Sequence, residues 1–460
     1  MKTKRFICAA LLLVAMMFTE SASAQLKTSY FMEGSYFRTD LNPALAPTRG
    51  FIALPLISGF SVGSYSNYNS YDNMYYLRDG EYVHAFNSMV SANEFLSKLP
   101  NRCIESINSD LNIIRLGFYT LNGTFFEVGS NVRIAYNGVM PKEYFKMVKG
   151  VYDSSITIDN MSIDLNNYLE SYAGTSFRLG ENITVGARFK FLVGLQNGRI
   201  DINKLHVEDG KYSISGNIKL NSPEYNSTDY NNQTSTEVTW NDTQDAVWDN
   251  IHSFGGAIDL GAELRLLDKR LKVSAAITDL GFIKWSADTQ MSGSITGEVN
   301  EDTDVIGLLD KSVFDMPDKF SDYTTRLTTN VNLGVEYNFL NNHFAVGALS
   351  HTRFYRNAIA TEFTASFNVR PTNWMTFTAS HTFLNGNTPG IFGAAINIHP
   401  RAINIFVGMD YISSTKNTTD FEPTTMSEID SLLSPKATSY NIYIGVGFNF
   451  GRPDFLVEQQ

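Results

Sequence analysis

The stretch Tyr440-Asn441-Ile442-Tyr443-Ile444-Gly445-Val446-Gly447-Phe448-Asn449-Phe450 alternates residue by residue. A strand turns successive side chains to opposite faces. Tyr440, Ile442, Ile444, Val446, Phe448 and Phe450 therefore make one apolar face, and Asn441, Tyr443, Gly445, Gly447 and Asn449 a mostly small or polar one. An aromatic-ended final strand of this pattern predicts the closing strand of an outer-membrane β-barrel, paired with the first strand and running from the cell surface to the periplasm.

Counting back from it, the same reading predicts thirteen earlier spans: Phe51 to Tyr65, Leu111 to Thr120, Phe126 to Asn137, Asn167 to Leu179, Ile183 to Gln196, Ser253 to Leu267, Leu271 to Thr278, Thr328 to Phe339, Phe344 to Phe354, Ala358 to Arg370, Trp374 to Leu384, Ile391 to His399 and Ala402 to Ile412. The fifth is the clearest. Ile183, Val185, Ala187, Phe189, Phe191, Val193 and Leu195 stand opposite Thr184, Gly186, Arg188, Lys190, Gly194 and Gln196, and only Leu192 breaks the pattern. Such a run is longer than the ~5 to 6 residues usual for a soluble strand. It suits a tilted membrane strand of ~9 to 11 residues with extensions. Pro55 interrupts the first span, and a proline is tolerated in a strand only at an edge, a bulge or an irregular break.

The joins sort by length. Asn122-Gly123, Gly180 to Asn182, Asp268 to Arg270, Asn341-Asn342, Thr372-Asn373 and Pro400-Arg401 are short and fall on one side. The inserts starting at Ser66, Gly138, Gly198, Ser286 and Ser413 are long and fall on the other. Even strand number, short periplasmic turns and long surface loops are the rule for single-chain bacterial barrels. The inserts predict a short helix at Ser88 to Leu99, one or two helical turns at Pro141 to Gly150, and a hairpin around Gly210. Asp279 breaks the alternation of the seventh span, landing on the face of Val273 and Ile277. This reads either as a bulge that opens a lateral gate or as a chain that has already left the bilayer, and the second is the expectation.

Residues 1–24 predict a secretory signal peptide: Lys2, Lys4 and Arg5, the apolar run Phe6 to Phe18, then Ala22-Ser23-Ala24. Their removal leaves Cys103 as the one cysteine, which excludes an intramolecular disulfide and a cysteine-rich metal site. It also leaves a net charge of −13, which disfavours nucleic acid as a partner. Nothing after Gln25 is an uncharged apolar run of ~18 residues, so helical spans are excluded. The 32 Phe, 23 Tyr and 33 Gly fit strands facing lipid on one side and a filled lumen on the other. Gln25 to Gly50 lacks strand periodicity and holds Pro43 and Pro47, so it reads as a leader ahead of the barrel. The expected layout is a signal peptide over 1–24, a leader over 25–50, a barrel with long surface loops over 51–451 and a tail over 452–460.

Asn42-Pro43-Ala44, just before the first span, resembles the hatch motif of FadL-type long-chain fatty-acid transporters. The runs Phe125 to Gly150, Gly180 to Asn197 and Ile277 to Trp285 are similar to an uncharacterised Bacteroidetes outer-membrane family related to them. PorV and PorP of the type IX secretion apparatus look like more distant relatives. The resemblance implies a fourteen-stranded all-β barrel with an N-terminal hatch in its lumen, and it implies no particular substrate.

The inward faces collect Arg188, Lys190, Asp259, Glu263, Arg265, Glu336, Glu362 and Arg370. They read either as a lining that selects a solute or as opposite charges paired to fill a wet interior. The seven histidines lie at no metal-ligand spacing, and no nucleophile elbow, phosphate loop or cofactor motif is present. The chain therefore reads as a non-enzyme: a barrel in outer-membrane lipid passing a small hydrophobic or amphipathic solute. The alternative is a surface or secretion-accessory barrel whose long loops bind partner proteins.

Overall fold

The computed structural model describes residues 27–55, 59–208, 211–221, 251–299, 313–315, 321–383, 390–413 and 440–451. The expected signal peptide and C-terminal tail lie outside these, as does the insert after Ser413. Fourteen antiparallel strands close into one barrel. They are β1 (Gly50–Ala53 and Phe60–Ser66), β2 (Arg102–Tyr119), β3 (Phe125–Pro141), β4 (Ser155–Leu179), β5 (Ile183–Glu208), β6 (Phe254–Leu266), β7 (Leu271–Trp285), β8 (Tyr323–Arg326 and Thr329–Phe339), β9 (Phe344–Phe354), β10 (Ile359–Thr372), β11 (Met375–Phe383), β12 (Ile391–Ile398), β13 (Ile403–Ser413) and β14 (Tyr440–Phe450). Each pairs with the next, and β14 closes on β1, with Gly50 opposite Phe450 and Phe60 opposite Ile444.

The burial pattern is that of a lipid-facing barrel. Along β14, Ile442, Ile444, Phe448 and Phe450 are exposed while Asn441, Tyr443, Gly445 and Gly447 are buried. Phe189 and Phe191 on β5, Leu333 and Val335 on β8 and Phe363 and Phe367 on β10 are likewise turned outward. Apolar side chains face out because the surroundings are hydrocarbon; there an outward Arg or Lys would cost about 2 to 4 kcal/mol at the bilayer midplane. Leu192 faces inward and packs with Trp285, Tyr168 and Tyr323, which accounts for its break in the pattern of β5.

The six short turns share one end of the barrel. Two of them run through consecutive left-handed residues, Leu267, Asp268 and Lys269 in one and Leu340, Asn341 and Asn342 in the other. At the opposite end β2 to β5 continue far past the expected spans. β2 starts at Arg102 and β4 at Ser155, because the polar inserts add hydrogen-bonded ladder beyond the apolar band. Lys211–Asn221 pairs back on β5, with Glu208 opposite Lys211, in the hairpin expected around Gly210. Gln290–Val299 extends that sheet. Helices Ala92–Lys98 and Lys142–Val148 pack at the same end through Phe95 and Phe145. Among the described residues no helix is long and apolar enough to cross a membrane.

Two irregularities matter for the interior. Between Ile52 and Phe60, β1 takes eight steps while β14 takes four, from Phe448 to Ile444. The slack falls at Pro55, where the donor row is broken. Asp279 has φ 59° and sits where the register of β6 and β7 shifts. The strand nevertheless continues to Trp285 with Leu280 and Phe282 exposed. The expectation that the chain leaves the bilayer at Asp279 is corrected: the left-handed residue is a bulge that turns the carboxylate into the lumen.

Candidate lumenal site

Residues 27–49 lie inside the barrel and touch strands on all sides. Lys27 Nζ donates to Glu362 Oε1 of β10 at 2.7 Å. The Thr28 hydroxyl donates to Asp410 of β13, and Glu33 pairs with Lys272 of β7. Asn332 of β8 donates its amide to the Leu41 carbonyl at 2.8 Å, and Asn404 of β13 does the same for Gly34 at 2.8 Å. Tyr36 stacks between Phe37 and Phe51, and Phe37 continues the stack to Phe406.

Asn42-Pro43-Ala44 makes a tight turn against the wall. Asn42 Oδ1 accepts from the Ala44 N–H at 2.9 Å, and its amide donates to Tyr30 Oη at 3.2 Å and to the carbonyls of Ala262 and Ala275 at 3.4 Å. The wall is thinned to receive this segment. A Cβ at Gly186 of β5 would lie 2.3 Å from the Pro43 carbonyl, and one at Gly445 of β14 2.5 Å from the Phe37 ring. Gly261, Gly334 and Gly347 meet Asn42, Tyr30 and Phe31 in the same way.

Charge is gathered into connected groups. Asp40 accepts from Arg115 Nη1 of β2 and Arg188 Nη1 of β5, each at 2.9 Å, and Arg188 Nη2 also donates to Glu127 of β3 at 2.9 Å. Beside it, Arg133 of β3 contacts Asp110 at 3.2 Å, Glu170 at 3.3 Å and Asp279 at 2.9 Å. Lys190 contacts Asp279 at 2.6 Å and Asp259 at 2.9 Å. Glu336 is shared by Arg370 and, at 3.5 Å, Lys272. Arg353 joins Lys27 on Glu362 at 2.9 Å, with its guanidinium 4.0 Å from the Tyr65 ring centroid. Glu263 pairs with Arg265 at 2.6 Å; of the eight charged residues singled out in the sequence, Arg265 alone is half-buried and the other seven are buried.

The sequence reading did not single out Arg115, Glu127, Arg133, Glu170, Lys272 or Arg353. Strand parity was the available signal, since Glu127 and Arg133 share the polar face of β3 with Asn131. Lys27, Glu33 and Asp40 stand in an aperiodic segment and carried no such signal.

Burial alone would push the Glu33 and Asp40 carboxyls up. Lys272 and Arg370 overcome this and hold Glu33 well below the ordinary carboxylate range, and Arg115 and Arg188 lower Asp40.

Against Phe37, Asp40 and Leu41 of the N-terminal segment lies a cavity of about 90 Å³. Its wall carries six asparagines, Asn108, Asn112, Asn131, Asn137, Asn166 and Asn330, with Asp110, Asp279, Arg133 and Arg353. Ser61, just past the break in β1, lines it too. Among the described residues no group of His, Cys, Asp or Glu is placed to hold a metal ion.

Residues 43–410 match a family described as "Family of unknown function (DUF5723)". The chain belongs to that family. No curated protein matches this DUF5723 sequence. Its fold is similar to that of a deltaS2S3 mutant of TodX, a monoaromatic hydrocarbon channel, at 11% identity over 89% of this chain and 93% of that one, with a TM-score of 0.41. It is similar also to a Pseudomonas aeruginosa FadL homologue, at 9% identity over 94% and 99% of the two chains with a TM-score of 0.40. The translocator domain of the autotransporter NalP from Neisseria meningitidis aligns at 6% identity over 88% and 89%, with a TM-score of 0.30. These likenesses concern the fold alone.

Proposed function

We propose that this DUF5723 protein is an outer-membrane channel that passes small hydrophobic or amphipathic solutes sideways between its lumen and the bilayer. Residues 1–24 are removed on export, 25–50 form a hatch with Asn42-Pro43-Ala44 as its turn, 51–451 form the barrel and 452–460 a tail. The observation that carries the reading is the break in β1. Among the described residues, the ladder between β1 and β2 holds no paired positions from Ala53, opposite Arg115, to Tyr65, opposite Ser106. Within this stretch the Asn112 N–H donates to the Gly59 carbonyl at 2.9 Å. The same break adjoins the lumenal cavity through Ser61 and Asn112. A gap in backbone pairing beside an internal cavity offers a route for a solute that need not cross the barrel axially.

The test is uptake of a hydrophobic dye and leakage of ions in liposomes carrying the purified protein, beside a variant lacking residues 25–50. The intact protein takes up dye without leaking ions, and the deletion adds ion leakage. Unchanged ion permeability in the deletion removes the hatch from the reading; no passage by either form removes transport.

A second reading, a PorV-like surface or secretion accessory that binds partner proteins, draws on the long-loop end. β4 and β5 have 25 and 26 residues, against the ~9 to 11 a crossing needs. Recovery of no partner from mildly solubilised membranes counts against it.

A further inference from the structure

The lumenal cavity has a chemical preference that a channel for neutral apolar solutes would not need. On the face built by β2 to β7, four carboxylates, Asp110, Glu170, Asp259 and Asp279, share two cations, Arg133 and Lys190. Arg188 approaches Asp259 to only 3.8 Å and is matched within its own group by Asp40 and Glu127. Arg353 also lines the cavity, but its guanidinium is on Glu362. Carboxylates therefore outnumber cations on this face, although the Asn330 amide and the Asp279 N–H also donate to Asp279 and Asp259. Glu170 Oε2 is buried with no hydrogen bond; its nearest cations are Arg133, whose Nε at 3.3 Å is likewise without one, and Lys190 at 3.7 Å. Glu170 is thus paired by charge, and the unmatched acceptor of the cavity is a neutral one.

A neutral group gives the same indication. Asn131 lines the cavity, is 3% exposed, and its amide nitrogen is directed at Glu170 Oε1, 3.4 Å away. A carboxylate accepts only, which fixes the orientation of the amide and leaves Asn131 Oδ1 buried without a partner. A buried acceptor without a donor is costly, and a charged group with no matched partner more so. Asp110, with a side chain 38% exposed and one cation beside it, is the most exposed carboxylate of this face. Phe37, Leu41 and Leu327 add an apolar margin to the same cavity.

We infer that the cavity binds the head group of an amphipathic primary ammonium compound, with Asp110 and Asn131 as acceptors and the apolar margin against its tail. The ammonium brings the missing positive charge and three N–H donors. The inference rests on the channel reading and names the class of solute.

The experiment is isothermal titration of the purified full-length protein in zwitterionic micelles with hexylammonium, hexanol and hexanoate, protein-free micelles giving the background. Hexylammonium binds at least tenfold more tightly than either of the others, Asp110→Asn weakens hexylammonium at least fivefold with hexanol unchanged, and Asn108→Asp tightens it. Equal binding of the three probes, or a preference for hexanoate, overturns the charge inference and leaves the channel standing. Binding of none of them overturns both. The ranking on the wild-type protein decides the question even where a variant fails to fold.

Discussion

Asp40 sits between two buried guanidiniums, and removing its charge leaves them to share Glu127, with Asp259 3.8 Å from Arg188 as the one further carboxylate in reach among the described residues. Breaking one partner of a buried ion pair costs about 3 to 5 kcal/mol. Asp40 keeps some contact with solvent, so Asp40→Asn should weaken docking of the N-terminal segment by about 3 kcal/mol. Faster protease cleavage within residues 27–49 of the reconstituted protein reads this. The sign of the pH dependence follows from the same residues. The carboxyls of Glu33 and Asp40 are depressed when docked, so their stabilisation is present above the ordinary carboxylate value of about 4 and is lost as pH falls through their lowered values. Ion leakage from loaded liposomes should stay at background down to that range and rise below it; leakage rising at neutral pH would contradict this. Gly186→Val places a side chain on the Pro43 carbonyl, backbone that cannot swing aside, and should raise single-channel conductance in planar bilayers with the barrel still assembled. At this scale the sequence was only partly legible. Arg188 and Lys190 stood out because β5 alternates so regularly, whereas Asp40, the partner of Arg188, lies where no period marks which way a side chain points.

The break in β1 is an element-level feature, and it comes with a count. The slack against β14 is four residues, so deleting residues 55–58 brings Ile52 and Phe60 into one continuous register with Phe448 and Ile444. Parity is kept, and Phe60 stays on the lipid face. The shortened strand should pair along its length with β14; against β2 the slack is three residues, from Ala53 opposite Arg115 to Tyr65 opposite Ser106, so a one-residue bulge stays on the β2 side. Dye uptake should then fall to that of protein-free liposomes while the barrel keeps its resistance to unfolding in detergent. Uptake at the wild-type rate in a folded deletion would remove β1 as the route. Pro55 marked the irregularity in the sequence, because a residue without an N–H cannot continue a ladder. The amount of slack was not readable, since register belongs to the pairing of two distant strands. Asp279 shows the opposite failure. Its break in parity was visible, but a strand end and a left-handed bulge look alike until the next strand shows where pairing resumes.

For the whole molecule, topology was the most legible property, because it follows from two periodic signals that reinforce each other. Alternation marked the spans, and the sorting of short from long joins fixed their directions. Both come from a bilayer that demands apolar side chains outward and satisfied backbone throughout. The filling of the lumen obeys no such rule, since an interior of paired charges and amides is assembled from residues far apart in sequence.

The contacts of the N-terminal segment also constrain how the molecule is made. Its partners come from β2, β5, β7, β8, β10 and β13, on both sides of the barrel. The strand that follows it, β1, is also the one that seals the seam with β14. A half-built sheet offers this segment only some of its partners, and the closed cylinder offers all of them. Docking of the segment and sealing of the seam are thus one cooperative event at the end of assembly, in which the last strand to pair brings the contents of the lumen with it.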